Sequence, residues 1–232
     1  MTNEGGLTAK NTPITRRAIA RGALWATPAM VVSSAAPAFA DSTCVIQNAK
    51  PVPSNSTRQI TFNGSDGITV TGRVVGGNSQ ISNNNLWVLD SGEVVLEQDA
   101  AQGEYQEVLF EFSKPVYNLQ FVISDIDNDW QQRGGYTDAI SVSGDVVAAP
   151  VASGYLRTSG NRISAPLARY DWDSQGVLPK DPKGQVRISN RPGSPVKSFT
   201  VRYENLSPSY QRRNQVVLIA FINYTSTDCT PS

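Results

Sequence analysis

The 232-residue chain contains no histidine. That absence excludes Ser-His-Asp and Cys-His nucleophilic centres and every histidine-ligated metal site. Glycine-rich phosphate loops are missing too. Gly76-Gly77 and Gly134-Gly135 lie in turn sequences, with no strand-to-helix junction to cradle a phosphate. Charged residues make up 17 % of the chain, yet the hydrophobic fraction of 39 % is too high for a disordered one. After residue 40 no window keeps a helical period through its Gly, Pro and β-branched residues. Carboxylates, amides, hydroxyls and aromatic rings on a β-rich chain are what remains.

Residues 1–40 read as an export leader. A polar segment with Arg16, Arg17 and Arg21 precedes a moderately apolar stretch, and Ala38-Phe39-Ala40 is a small-x-small cleavage site ahead of Asp41. The competing reading is an anchoring helix. The apolar stretch is too short for one and is broken by Thr27, Pro28, Ser33 and Ser34. Arg16-Arg17, with Thr15 before the pair and Ile19 after it, resembles the twin-arginine signature without its usual Phe-Leu. The twin-arginine and general export routes both stay open. Removing Lys10, Arg16, Arg17, Arg21 and Glu4 with the leader leaves 16 basic and 19 acidic residues, a net charge of −3. Such a chain does not select nucleic acid or anionic membrane as a partner, and no span is expected once the leader is gone.

Within Glu107–Gly144 three runs alternate apolar and polar residues, the period of a half-buried strand. Val108, Phe110 and Phe112 share one face, Leu119, Phe121 and Ile123 the next, and Ile140 and Val142 the third. Ser113-Lys114-Pro115 and Asp125–Gly135 between them carry turn and loop chemistry, which predicts a three-stranded antiparallel meander. Further strands are expected at Arg58–Phe62, Ile68–Val74, Leu86–Leu89, Glu93–Glu97, Val186–Ile188, Phe199–Tyr203 and Val216–Tyr224. Asp90-Ser91-Gly92 marks a hairpin turn, and Val216–Tyr224, apolar at both parities, reads as one central strand. Residues 168–184 read as a long loop. Ten or so short strands predict an all-β fold, a two-sheet antiparallel sandwich of jelly-roll type, as a single domain over residues 41–232. A weak internal echo links Ser113-Lys114-Pro115-Val116 to Ser194-Pro195-Val196, each opening an alternating strand.

FEFSKPVYNLQFVISDID, YTDAISVSG, GSPVKSFTVRYEN and VVLIAFINYTSTDC, spread over Glu107–Cys229, resemble a module of secreted and wall-associated actinobacterial and other bacterial surface proteins. That resemblance implies a jelly-roll sandwich at the cell surface. Leu-Pro-x-Thr-Gly and a terminal apolar helix are absent, so a released or non-covalently held protein is expected rather than a sortase-anchored one.

Three sets of side chains are candidates for chemistry. Cys44 and Cys229, near the two ends of the mature chain, are expected to form a disulfide between the first and last strands. Asp125 and Asp127 continue the inward parity of Ile123, and Asp138 that of Ile140, so all three carboxylates are expected at one end of the sandwich. Loop amides, Arg133 or a calcium ion would offset their burial. An EF-hand is excluded, since Trp130 and Tyr136 stand where its Gly and its Glu belong. Trp130, Tyr136, Tyr170 and Trp172 suit stacking on sugar rings, or pinning loops to the sandwich. The expected function is a non-catalytic extracellular module for surface interaction, needing no cofactor. A glycan-binding module and a carboxylate-only glycan hydrolase are the alternatives.

Overall fold

Alternating residues become strands in this chain wherever turn chemistry brackets them. The computed structural model describes residues 45–52, 58–77, 85–129, 135–166, 180–207 and 213–227. In chain order the strands are β1 (Gln47–Pro51), β2 (Gln59–Asn63), β3 (Thr69–Gly77), β4 (Asn85–Val88), β5 (Val94–Ala100), β6 (Tyr105–Ser124), β7 (Asn128–Asp129), β8 (Tyr136–Gly144), β9 (Val146–Pro150), β10 (Arg157–Ser159), β11 (Arg162–Ser164), β12 (Val186–Asn190), β13 (Val196–Asn205), β14 (Arg213–Ile219) and β15 (Ile222–Thr225). A 3-10 turn at Pro182–Gly184 is the one helical element among the described residues, with Asp181 accepting the Lys183 N–H. No helix among them is long and apolar enough to cross a membrane.

Every pairing is antiparallel, and the fold is the expected sandwich of jelly-roll type. One sheet runs β10-β11-β8-β13-β6-β3-β2-β1. The other runs β9-β12-β6, then β14 and β15 in line, with β5 and β4 beyond β14 and β1 beside β15. The predicted hairpin is present, with Gly92 at φ 84 closing the β4–β5 turn. Val216–Tyr224 is broken at Ala220-Phe221 into β14 and β15, where Ala220 N–H reaches the Val122 carbonyl at 3.3 Å.

β6 departs from the predicted meander. Its first leg pairs with β3 and β13 in one sheet, and its second with β12, β14 and β15 in the other. The two legs are not hydrogen-bonded neighbours but face each other across the core. Phe110 and Phe121, from opposite legs, sit 6.5 Å apart, and Phe199 of β13 lies 5.0 Å from one and 5.4 Å from the other. The predicted third strand, β8, joins β13 and β11 instead. Each leg has one apolar face, so crossing the sandwich lets the two faces cover each other, whereas side-by-side pairing leaves both in need of a cover. The two Pro-Val openings pair directly, Val116 opposite Val196.

Tyr224 ties the last strand to the β2–β3 turn. Its hydroxyl donates to Asp66 Oδ1 at 2.8 Å while its ring meets Phe112 edge-on at 5.8 Å. Burial first, then the hydrogen bond and charge of Asp66, push its pKa well above the ordinary tyrosine value. Gly64 makes room for it: a Cβ there would stand 2.0 Å from the Tyr224 hydroxyl oxygen.

Candidate functional site: the polar end of the sandwich

β3, β5, β11 and β13 finish, and β4, β6, β8, β12 and β14 begin, at the same end of the sandwich. There the inward-facing positions change chemistry together. Along β6 the buried series Phe112, Phe110, Val108 ends in Gln106; along β14 Ile219 and Val217 lead to Gln215; along β5 Leu96 leads to Gln98. On β13 Val201 gives way to Tyr203 and Asn205, and on β8 Val142 and Ile140 give way to Asp138. Period-2 geometry keeps each of these groups pointing the way its apolar neighbours point. A buried polar layer therefore caps the hydrophobic core.

Hydrogen bonds hold most of this layer. Asn205 sits at its centre, its Nδ2 donating to the Ala100 carbonyl at 2.9 Å while its Oδ1 accepts the N–H groups of Thr137 at 3.2 Å and Ser207 at 2.9 Å. Gln215 Nε2 also donates to Ala100 O at 3.3 Å. Asp138, fully buried, accepts the Tyr203 hydroxyl at 2.8 Å, and Asp127, 2 % exposed, accepts the Tyr136 hydroxyl at 2.9 Å. Asp127 N–H donates to Asp138 Oδ2 at 3.3 Å, and Asp138 N–H to Asp127 O at 2.9 Å. Hydrogen bonds to a buried carboxylate are the strong, charge-assisted kind, and without them the anion's burial costs several kcal/mol, about 3–5. Within this layer, among the described residues, the Gln106 carboxamide and the side-chain oxygens of Gln98, Asn128 and Thr137 are buried without a hydrogen-bond partner.

Asp127 and Asp138 face each other across a short hairpin, β7 against β8, rather than across a β6–β8 hairpin. Asp125 is buried too, but it adopts φ 68, a left-handed conformation that Asp tolerates better than most residues. Parity counted from Ile123 ceases to hold there, and Ser124 through Asn128 are all buried. Of the three expected remedies for the carboxylates, the loop amide is seen, and two tyrosine hydroxyls join it unforeseen. No group of three or more acidic or thiol side chains among the described residues is placed to hold a metal. Tyr136 is 5 % exposed with its hydroxyl on Asp127, so its ring is not offered to solvent. Tyr105, at the rim, lies under the Arg202 guanidinium at 3.5 Å. Trp130, Arg133, Tyr170, Trp172, Cys44, Cys229 and, in the segment expected to be a leader, Arg16, Arg17, Ala38 and Ala40 lie outside the described residues. Tyr203 continues the expected face of Phe199 and Val201, but Gln98, Gln106, Asn205 and Gln215 were missed by the sequence reading. Extending each strand's inward parity by one step finds them.

The two ends of the sandwich differ in their connections. Residues 78–84, 130–135, 151–156, 165–185 and 206–212 all link strand ends at the polar end, whereas no strand connection at the opposite end exceeds five residues. No family model matches the chain, and no curated protein matches it. A solved carbohydrate-binding module, studied for specific mannan recognition, aligns over 79 % of this chain and 99 % of its own at 12 % identity, with a TM-score of 0.34. A score that low carries no argument about ligand.

Proposed function

We propose that the protein is an exported, non-catalytic interaction module that recognises its ligand at the polar end, and that the ligand is a glycan. The observation that carries this reading is the asymmetry of the sandwich: the strand ends that its long connections join lie at one end, and that end is fastened by a buried hydrogen-bonded layer. Recognition sites on sandwiches concentrate on loops held by a rigid scaffold. The intervals 130–134 and 167–179, which join described residues of this end, carry Trp130, Tyr170 and Trp172, the ring types that stack on sugar faces. Asp127 and Asp138 are buried and occupied by tyrosine and amide donors, which favours a supporting role for them over acid–base chemistry on a substrate. The reading needs no calcium. The leader and the strand motifs that resemble bacterial surface modules support an extracellular setting.

A glycan array probed with residues 41–232 tests the proposal. Retention of a defined set of polysaccharides is expected, lost in a Trp130→Ala/Trp172→Ala variant whose melting temperature is unchanged. No retained glycan, or retention indifferent to both tryptophans, overturns it.

A further inference from the structure

The net charge of −3 on residues 41–232 hides an uneven division. Residues 145–191 carry 7 basic and 4 acidic side chains, a net +3, whereas the rest of 41–232 carries 9 and 15, a net −6. The basic stretch runs through β9, β10, β11 and β12 along one flank of the sandwich, where β9 borders β12 in one sheet and β10 borders β11 in the other. Two backbone bonds fix this flank to the polar end. Ile126 N–H donates to Gly184 O at 3.1 Å and Val151 N–H to Gln185 O at 2.9 Å, which sets the 3-10 turn against the chain between Asp125 and Asp127. Lys180 and Lys183 lie on that turn and its approach, Arg187 follows on β12 opposite Ala149, and Arg157 opens β10 opposite Ser164. All four residues are exposed, and among the described residues none of their side chains meets a carboxylate. The described acids of the stretch are turned elsewhere. Asp181 Oδ1 accepts Lys183 N–H at 2.9 Å, and Asp145 stands at the far end of β9, its carbonyl on Arg191 N–H.

We propose that the ligand of the polar end is an acidic glycan, whose anionic groups are received by Lys180, Lys183 and Arg187 together with Arg157. Glycan recognition at that end is the premise, and the charge names the class. Like charges gathered without counter-charges repel one another, and an anion laid among them relieves the repulsion. The acidic remainder of the chain does not cancel the field at this flank. Exposed charges are screened over about 8 Å at physiological ionic strength, so an approaching anion meets mainly the charges nearest to it. Three of the four cations fall within residues 180–187, folded by one turn. An ammonium is a point charge without the fork geometry of a guanidinium, so carboxylate and sulfate groups both suit the lysines. A polysaccharide repeats such groups along its length, which fits cations spread over a turn and two strands better than one small anion does. Arg162 of the same flank adds little, because Glu204 holds it at 3.6 Å. A neutral glycan gains nothing from these side chains.

The test compares residues 41–232 with a Lys180→Gln/Lys183→Gln/Arg187→Gln variant on an array that sets each acidic glycan beside a neutral counterpart. Polygalacturonate and alginate stand beside their methyl esters, and dextran sulfate beside dextran. At least one acidic member is expected to be retained about tenfold more tightly than its counterpart, and the variant is expected to lose that preference. Preference for a uronate assigns the anion as carboxylate, and preference for dextran sulfate as sulfate. On the unaltered protein, raising the salt from about 50 to about 500 mM should erase the preference as well, which keeps the test decisive should the variant fail to fold. Equal retention of acidic and neutral members, a preference that survives the variant or the salt, or equal retention of a single-stranded oligonucleotide each overturns the acidic ligand while leaving glycan recognition at the polar end intact. Retention of no glycan at all overturns both.

Discussion

Tyr136 and Tyr203 each direct a hydroxyl at a buried carboxylate, and deleting either leaves an anion with fewer donors in a place water does not reach. Tyr203→Phe is expected to destabilise the fold by about 1–3 kcal/mol, read as a lower urea midpoint at an unchanged slope. A loss below a few tenths of a kcal/mol would mean that Asp138 is held by its other partners. Tyr224 behaves differently because it titrates. Its raised pKa belongs to the folded state, while the unfolded chain ionises near the ordinary value of about 10. Its contribution is therefore complete below about pH 10 and is lost as the pH climbs through the folded-state value. Tyr224→Phe should flatten the alkaline fall in melting temperature, and a fall as steep as wild type would assign it to other groups. Gly64 belongs to the same contact. Its substitution by Ala sets a Cβ 2.0 Å from the Tyr224 oxygen and 2.8 Å from Asp66 Oδ1, at a cost of about 1–3 kcal/mol. Part of that penalty should vanish when Tyr224→Phe removes the oxygen, and strict additivity in the double-mutant cycle would show that the Ile68 carbonyl, 3.1 Å from the new Cβ, dominates instead.

β6 shows how far an alternating pattern can be read. Period 2 states which face of a strand is buried, and Val108, Phe110, Phe112, Leu119, Phe121 and Ile123 are all buried. The period is silent about which strand lies alongside, so two legs facing each other across a core leave the same pattern as two legs paired in a meander. Ser113-Lys114-Pro115 read as a turn, yet backbone pairing runs on past it to Val116, and the chain bends around the base of the sandwich. Asn118 takes the left-handed conformation at φ 46 within that bend, its Nδ2 donating to Thr225 Oγ1 at 3.1 Å. Asn118→Val, β-branched and disfavoured at positive φ, is expected to cost about 1–3 kcal/mol, whereas Asn118→Gly should stay close to wild type. Equal melting temperatures for the two variants would mean that the bend is not held by this residue. The polar layer was more legible than the pairing. Gln106 continues the parity of Val108, and Gln215 that of Val217, and an amide at an inward position marks where a core ends. Asp125 gave no such signal, since nothing in the sequence marks the left-handed turn that redirects the chain after Ser124.

Both ends of the described chain lie in the same ladder. β1 and β15 pair with Gln47 opposite Tyr224, Asn48 opposite Asn223 and Ala49 opposite Ile222. Cys44 precedes the first of these pairs by three residues, and Cys229 follows it by five. Gln47 and Tyr224, near the described ends of the chain, therefore stand opposite each other at one end of this ladder. A disulfide joining Cys44 and Cys229 would close nearly the whole mature chain into one loop. In the chain-entropy account such a closure stabilises by up to about 5 kcal/mol, through the freedom it removes from the unfolded state. The bond would act where the sandwich most needs it, because β1 is shared by both sheets and links β15 to β2. Export, as proposed, would supply the oxidising setting in which such a bond persists. Thiol titration of the denatured, unreduced mature protein should find no free thiol, and Cys44→Ser/Cys229→Ser should lower the melting temperature while the other sheet contacts stay in place. Two titratable thiols per chain would leave β1 held, among the described residues, by its two ladders and by the Ser65 hydroxyl on Gln47 Oε1.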